Sequence, residues 1–224
     1  MTGEASWHRL EHSAYAADIP LWIELASFAD GEIVEVGAGC GRVALALSSA
    51  GYPVVAAERD PDLAAALRAA RHPGSLVRVV EADPFQSQCL QHVEASLFIF
   101  PLLVIQLVAA ELGLDLTMER FKEMLPQSAT AAVCLSPPFL EGANLTFIKQ
   151  GTEIPRSGLV SLKSSQGKVV LERMRVDRYS SSVSIEELVD VQADDLSRGL
   201  DRPIREVRAI PAAEGVQAMH VVVL

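Results

Sequence analysis

Two kinds of apolar run alternate along the first two thirds of this chain. Short blocks rich in β-branched residues lie at about 33–36, 54–57, 76–80, 97–100 and 129–135, and longer Ala/Leu-rich stretches separate several of them. Blocks that are apolar throughout predict strands buried on both faces, and the longer stretches predict helices. One helix is predicted over 42–50, with Gly51 as its stop. Asp60-Pro61-Asp62 supplies a cap, a proline for the first turn and an acid for the dipole. The helix it opens carries Leu63, Leu67 and Ala70 on one face and ends at Pro73-Gly74. Residues 102–112 predict a helix closed by Gly113, and 117–124 a second piece with Thr117 as cap. Residues 4–29 read as two helical pieces, with Asp18 placed to cap the second and Pro20 in its first turn. The β-α-β-α alternation implies a parallel sheet.

After Pro138 the pattern changes. Gly, Ser and Pro become frequent and period-two alternation appears. Residues 159–162 and 169–176 predict a hairpin around Ser164-Ser165-Gln166-Gly167. Ser184-Ile185-Glu186-Glu187 is a capping box if helical, yet Val183, Ile185, Val189 and Val191 alternate as in a strand. A strand is the expectation. Residues 194–198 predict a short helix with Gly199 behind it, and 204–210 with 218–224 a terminal antiparallel pair. The whole is read as one domain over 1–224: a helical lead-in to residue 30, a core over 31–140 and a β-rich remainder.

Composition narrows the partners. Half of the 224 residues are hydrophobic, enough for a large core, and the formal net charge is -10. So acidic a chain is a poor partner for a nucleic acid backbone. Arg173, Arg175 and Arg178 do cluster, but Glu172 and Asp177 are interleaved with them, which reads as a salt-bridged strand face. The three cysteines, Cys40, Cys89 and Cys134, are too widely spaced for a zinc knuckle and odd in number for a disulfide framework. The apolar stretch 97–110 is too short for a membrane span and is interrupted by Pro101 and Gln106. Met1-Thr2-Gly3-Glu4 lacks the basic start of a signal peptide, so a cytoplasmic location is the default expectation. His8 and His12 have helical ligand spacing, but no carboxylate set completes them and no metal is expected.

The chemistry centres on Ile33-Val34-Glu35-Val36-Gly37-Ala38-Gly39-Cys40-Gly41-Arg42. A strand runs into three alternate glycines and then a helix, whose first free N–H groups face whatever sits at the turn. A dinucleotide fingerprint would need a small residue where Arg42 stands. The acid two residues before the first glycine suits a ligand bearing positive charge better than a pyrophosphate.

This E-x-G-x-G-x-G pattern resembles the class I S-adenosylmethionine-dependent methyltransferases of the small-molecule type, and four further segments support the resemblance. Val54-Val55-Ala56-Ala57-Glu58-Arg59-Asp60 resembles the second strand with its ribose-binding acid, roughly 20 residues past the first glycine. Val79-Val80-Glu81-Ala82-Asp83 resembles the third strand with its adenine-side acid, and Leu97-Phe98-Ile99-Phe100-Pro101 the fourth, beside the methyl group. Tyr15-Ala16-Ala17-Asp18 before Trp22 is similar to the family's helical lead-in. The likeness covers residues 10–140.

It implies a Rossmann-like α/β fold: a seven-strand sheet, mostly parallel, with antiparallel C-terminal strands and an N-terminal helical lead-in. It implies S-adenosylmethionine as cofactor, S-adenosylhomocysteine as product, and methyl transfer to a small, fairly apolar molecule. The cofactor set carried over is Glu35, Gly37, Ala38, Gly39, Gly41, Glu58, Arg59, Ala82, Asp83 and Phe100. Glu35 would meet the ammonium end, Glu58 the ribose hydroxyls, Asp83 the adenine amino group, and Phe100 with Pro101 would border the sulfonium. Cys40 stands where the family usually has Thr or Ser and reads as a small packing residue.

The chain departs from the family after the fourth strand. Leu102-Leu103-Val104-Ile105-Gln106-Leu107 stands where a polar residue is common, which leaves the general base unassigned and predicts a hydrophobic acceptor pocket lined by Ile105. Tyr15, Gln106, Glu111 and Glu141 are the polar candidates near its mouth. Two other readings stay open. The fold can be repurposed for cyclisation or rearrangement without methyl transfer, as in secondary metabolism, or can be kept for assembly in a non-catalytic or partner-activating subunit; a homo-oligomer or a partner subunit stays open on each reading.

Overall fold

The computed structural model describes residues 3–12, 15–136, 143–148, 157–165, 168–176, 181–210 and 219–224. Two helices lead in, α1 (Gly3–His12) and α2 (Ile19–Ala26). The alternating core follows: β1 (Glu32–Val36), α3 (Arg42–Ser49), β2 (Val54–Glu58), α4 (Pro61–Ala70), β3 (Val77–Glu81) and β4 (Ala95–Phe100). Next come α5 (Val104–Leu112), α6 (Leu114–Met124) and β5 (Thr130–Leu135). The C-terminal part comprises β6 (Ala143–Ile148), β7 (Ser157–Ser165), β8 (Lys168–Val176), β9 (Ser181–Val189), α7 (Ala193–Leu200), β10 (Glu206–Ile210) and β11 (Met219–Val223).

One sheet runs β10-β11-β5-β4-β1-β2-β3. Its five core strands are parallel, while β11 is antiparallel to both β5 and β10. This is the seven-strand arrangement expected, and its strand order reverses direction between β1 and β4. Helices cover both faces, which is why β2 is buried at all five positions. Side chains alternate between two cores. Leu97 and Ile99 meet Trp22, Leu47 and Leu67 on one face. Phe98 and Phe100 meet Ile105, Phe121 and Leu196 on the other. Asp60 caps α4 as its sequence predicts, with Oδ1 accepting from the N–H groups of Asp62 at 2.8 Å and Leu63 at 3.0 Å.

Three helix ends differ from expectation. Asp18 precedes α2 but makes no side-chain cap; its carboxylate is claimed by Arg42 and Trp22 instead. Thr117 lies inside α6, which begins at Leu114, and its hydroxyl donates back to the Gly113 carbonyl at 2.7 Å. Gly199 does not stop α7. The helix runs through it to Leu200, and Asp201 takes the left-handed turn at φ 55°. A Cβ on Gly199 would come within 2.5 Å of Met118 Cγ, so the missing side chain lets α7 lie against α6.

Residues between β5 and α7 form a second sheet, antiparallel in the order β6-β7-β8-β9. The expected hairpin is its β7–β8 pair, and the ambiguous segment is β9. The hairpin turn at 166–167 lies outside the described residues. Leu171 and Leu188 seat this sheet on Leu103 and Leu107. Strand alternation then sends Arg173 and Arg175 inward and leaves Met174, Val183 and Ile185 exposed. Among the described residues no helix is long and apolar enough to cross a membrane, and no group of three or more His, Cys, Asp or Glu is arranged to hold a metal.

Candidate functional site

A cavity of about 440 Å³ opens at the carboxyl ends of the core strands, beside the point where strand order reverses. Its floor is built from the end of β1 and its turn (Glu35, Val36, Gly37, Ala38) and from the end of β2 (Ala57, Glu58, Arg59, Asp60). Asp83, Pro84 and Phe85 form one side. Pro101, Leu102 and Leu103 lead into a second, apolar side made by Val104, Leu107 and Val108 of α5. The roof is α1 with β8 and β9, contributing Glu4, His8, Glu11, His12, Leu171, Arg173, Arg175 and Glu186.

All three glycines of the turn take positive φ, at 72° for Gly37, 55° for Gly39 and 88° for Gly41. Each glycine faces something different. A Cβ at Gly37 would strike Val104 at 2.7 Å, and one at Gly39 would strike the His8 ring at 2.3 Å. At Gly41 the obstacle is Leu67 of α4 at 2.0 Å, so that glycine serves helix packing.

Glu58 is 6 % exposed and holds this turn. Its Oε2 accepts from Gly39 N–H at 2.7 Å and its Oε1 from Asp60 N–H at 2.8 Å. Burial raises its pKa and these two amides oppose the rise. Glu35 is 2 % exposed, and its Oε2 has no hydrogen-bond partner among the described residues. Burial drives its pKa up to about 8, against the pull of Arg42 and the Ala44 N–H. Arg42 is itself clamped. Its NH1 and NH2 meet the two Asp18 carboxylate oxygens at 2.5 and 2.6 Å, while Trp22 Nε1 donates to the same carboxylate at 2.8 Å.

Asp83 closes a turn through Phe85 N–H at 2.9 Å and lies 3.6 Å from Arg59, which also pairs with Glu111. Cys40 is buried against Ala5 and Ala66 with its thiol pushed up to about 11 by burial, which suits packing rather than attack.

Six of the ten residues carried over from the family line the cavity: Glu35, Gly37, Ala38, Glu58, Arg59 and Asp83. Gly39, Gly41 and Ala82 are not part of that lining; Ala82 donates its N–H to the Glu58 carbonyl at 3.1 Å. Phe100 is a correction. It is fully buried, with its ring 4.4 Å from that of Phe121, and does not reach the cavity; Pro101 and Leu102 do. Ile105 is core as well, so the apolar wall consists of its neighbours Val104, Leu107 and Val108. Gln106 is buried away from the cavity, tying the end of β5 to α5: its Oε1 accepts from Ser136 N–H at 2.9 Å. Tyr15 lines the cavity, Glu111 is held by Arg59, and Glu141 lies outside the described residues.

The roof was not legible as a site. Arg175 donates to Glu11 at 3.0 Å and Glu4 at 2.7 Å, with its guanidinium 5.7 Å from the Trp7 ring. Arg173 meets Glu11 at 3.4 Å and also pairs with Glu186. A salt-bridged face was expected with Glu172 and Asp177. The partners are instead on α1 and β9; Asp177 and Arg178 lie outside the described residues. His8 and His12 were visible only as a helical spacing, and nothing in the sequence singled out Glu11.

No protein-family model matches the chain, and no curated protein sequence matches it. Solved structures do. One is the CcbJ methyltransferase from Streptomyces caelestis, at 16% identity and TM-score 0.69, covering 94% of this chain and 96% of that one. Another is an S-adenosylmethionine-dependent methyltransferase from Clostridium acetobutylicum ATCC 824, at 9% identity and TM-score 0.69, with 98% and 96% covered. A third is CalS10 with S-adenosylmethionine bound, an amino pentose methyltransferase from Micromonospora echinaspora involved in calicheamicin biosynthesis, at 14% identity and TM-score 0.65, with 98% and 93% covered. The architecture is that of the class I methyltransferases over nearly the whole chain.

Proposed function

We propose that this chain, working as one unit over 1–224, transfers a methyl group from S-adenosylmethionine to a small molecule. One observation carries the reading most: at the strand-order reversal of a methyltransferase fold, a buried carboxylate with an unpartnered oxygen, Glu35, opens beside a glycine turn. An ammonium group would satisfy that oxygen. The surrounding residues fit the rest of the cofactor. Glu58 would accept from the ribose hydroxyls while continuing to hold Gly39, and Asp83 would accept from the adenine amino group beside Phe85. Pro101 and Leu102, in place of Phe100, would border the sulfonium.

When bound, S-adenosylmethionine supplies a methyl group already activated on sulfur, so the work left to the protein is positioning and exclusion of water. Val104, Leu107, Val108 and Leu171 offer the acceptor an apolar wall, which supports a fairly apolar small molecule. A biosynthetic role agrees with CalS10, a structural neighbour involved in calicheamicin biosynthesis.

The test is binding of S-adenosylhomocysteine by thermal shift and calorimetry. At 100 times its dissociation constant it should stabilise the fold by about 2.7 kcal/mol. Glu58→Ala should weaken binding at least about tenfold, the loss of a hydrogen bond to a charged group worth about 1.5–3 kcal/mol. No saturable binding by the wild type would overturn the reading and turn attention to non-methylating chemistry.

A further inference from the structure

The cavity roof carries a polar group that the cofactor contacts above do not use. His8 lines the cavity from α1, its ring packed over Gly39. Its Nδ1 is buried and has no hydrogen-bond partner among the described residues. The Tyr15 hydroxyl, on the same cavity, is likewise buried and unpartnered. Buried polar atoms without partners are uncommon and costly, and two of them on residues that line one cavity point to a ligand that satisfies them. Across from them stands the apolar wall of α5.

We propose that His8 is the positioning residue for the methyl acceptor, an uncharged amphipathic molecule whose hydroxyl or neutral amine donates a hydrogen bond to His8 Nδ1 while its apolar side lies on α5. This rests on the methyl-transfer reading. The X–H···Nδ1 bond fixes the acceptor atom and leaves its lone pair free to meet the methyl carbon; as the carbon–X bond forms and the carbon–sulfur bond breaks, the X–H proton passes to Nδ1 and on to solvent, and His8 itself forms no bond to carbon.

The charges around His8 support an uncharged guest. His12 packs beside it on α1, the rings tilted by 59° with centroids 4.5 Å apart. Burial lowers the His8 pKa to about 4, helped by Arg173 and Arg175 from β8 and by Arg42 from α3, with Glu4 of α1 opposing. His12 is lowered by burial, by His8 and by the same arginines. Glu11, the other acid on this face of α1, is already held by Arg173 and Arg175. On the roof, Glu4, Glu11 and Glu186 are already engaged by Arg173 and Arg175, so a cation would have to break an ion pair to gain a counter-charge beside the two neutral imidazoles.

The experiment uses full-length protein with 15N-labelled histidine, saturated with S-adenosylhomocysteine, and two probes: cyclohexanol and, at neutral pH, the cation of cyclohexylamine. Cyclohexanol is expected to move the His8 Nδ1 resonance saturably and to bind about tenfold tighter than the cation. His8→Phe, which keeps a ring over Gly39, should weaken cyclohexanol about tenfold, and His8→Asn, which returns an acceptor atom near the Nδ1 position, should recover most of that loss. Equal cyclohexanol affinity in His8→Phe, equal affinity for the cation, or no saturable shift would each overturn the proposal. Failure to bind S-adenosylhomocysteine would instead sink the methyl-transfer reading, and repeating the probe titration on the free protein would still decide the role of His8.

Discussion

Asp18→Ala is expected to cost about 3–5 kcal/mol of folding stability, the loss that follows when one partner of a buried ion pair is removed. Asp18 is fully buried. Its carboxylate takes both outer nitrogens of Arg42 and the indole N–H of Trp22. Alanine would leave a guanidinium only 16% exposed without its counter-charge and a buried indole N–H without an acceptor. The magnitude separates two roles for one residue. As a helix cap, the role its position before Pro20 predicts, Asp18 would contribute about 1 kcal/mol. Urea unfolding reads the difference directly, through a lower midpoint at unchanged slope. The double variant Asp18→Ala with Arg42→Met should be less destabilised than the sum of the singles, because the second change removes the stranded charge. A cost near 1 kcal/mol, or simple additivity, would show that the clamp contributes little. Arg42 also opens α3 directly after the glycine turn, so loosening the clamp should weaken S-adenosylhomocysteine binding as well.

The contrast between cap and clamp marks what the sequence could reveal. Strands β1 to β5, the capped start of α4 and the glycine turn were legible because each is written in adjacent residues: an apolar block, Asp-Pro-Asp, alternate glycines. The face taken by Phe100 was not. A strand buried on both sides is apolar at every position, so its pattern holds no parity, and only the packing shows that Phe98 and Phe100 share one face, where the Phe100 ring is buried against Phe121 beneath the cavity lining. The start of α6 was missed because Thr117 is a good cap residue locally, while the actual boundary is Gly113, which also ends α5.

The roof was least legible. Arg173 and Arg175 sit next to Glu172 in sequence, but neighbouring strand residues point to opposite faces. Their partners Glu4 and Glu11 lie some 160 residues away in sequence, joined only by the docking of the second sheet on α5. Glu35 and Glu58 were visible by spacing, yet the Gly39 N–H held by Glu58 and the unpartnered Glu35 oxygen emerge only once β1 and β2 are side by side.

S-adenosylhomocysteine binding should release about one proton at pH 7, and Glu35→Gln should abolish the release. With its pKa raised to about 8 by burial, Glu35 is protonated in most molecules at pH 7. If it serves as the counter-charge of the ligand ammonium, binding must ionise it. Each pH unit below 8 then costs about 1.4 kcal/mol, so affinity should climb about tenfold from pH 6 to pH 7 in the wild type and stay level in Glu35→Gln. Calorimetry in two buffers of different ionisation enthalpy counts the proton. The free protein carries the same signature with its own sign. The folded-state pKa lies above the ordinary 4.5, so the folded chain holds the extra proton, and stability contributed by Glu35 is present below pH 4.5 and lost as pH rises through 8. Glu35→Gln should remove that fall and be the more stable protein at pH 8 while being the weaker binder there. A gain in stability paired with a loss in affinity is what a charge buried for a ligand produces. A release near zero in the wild type, with affinity level across pH, would mean that Glu35 stays protonated and that the ammonium is held elsewhere.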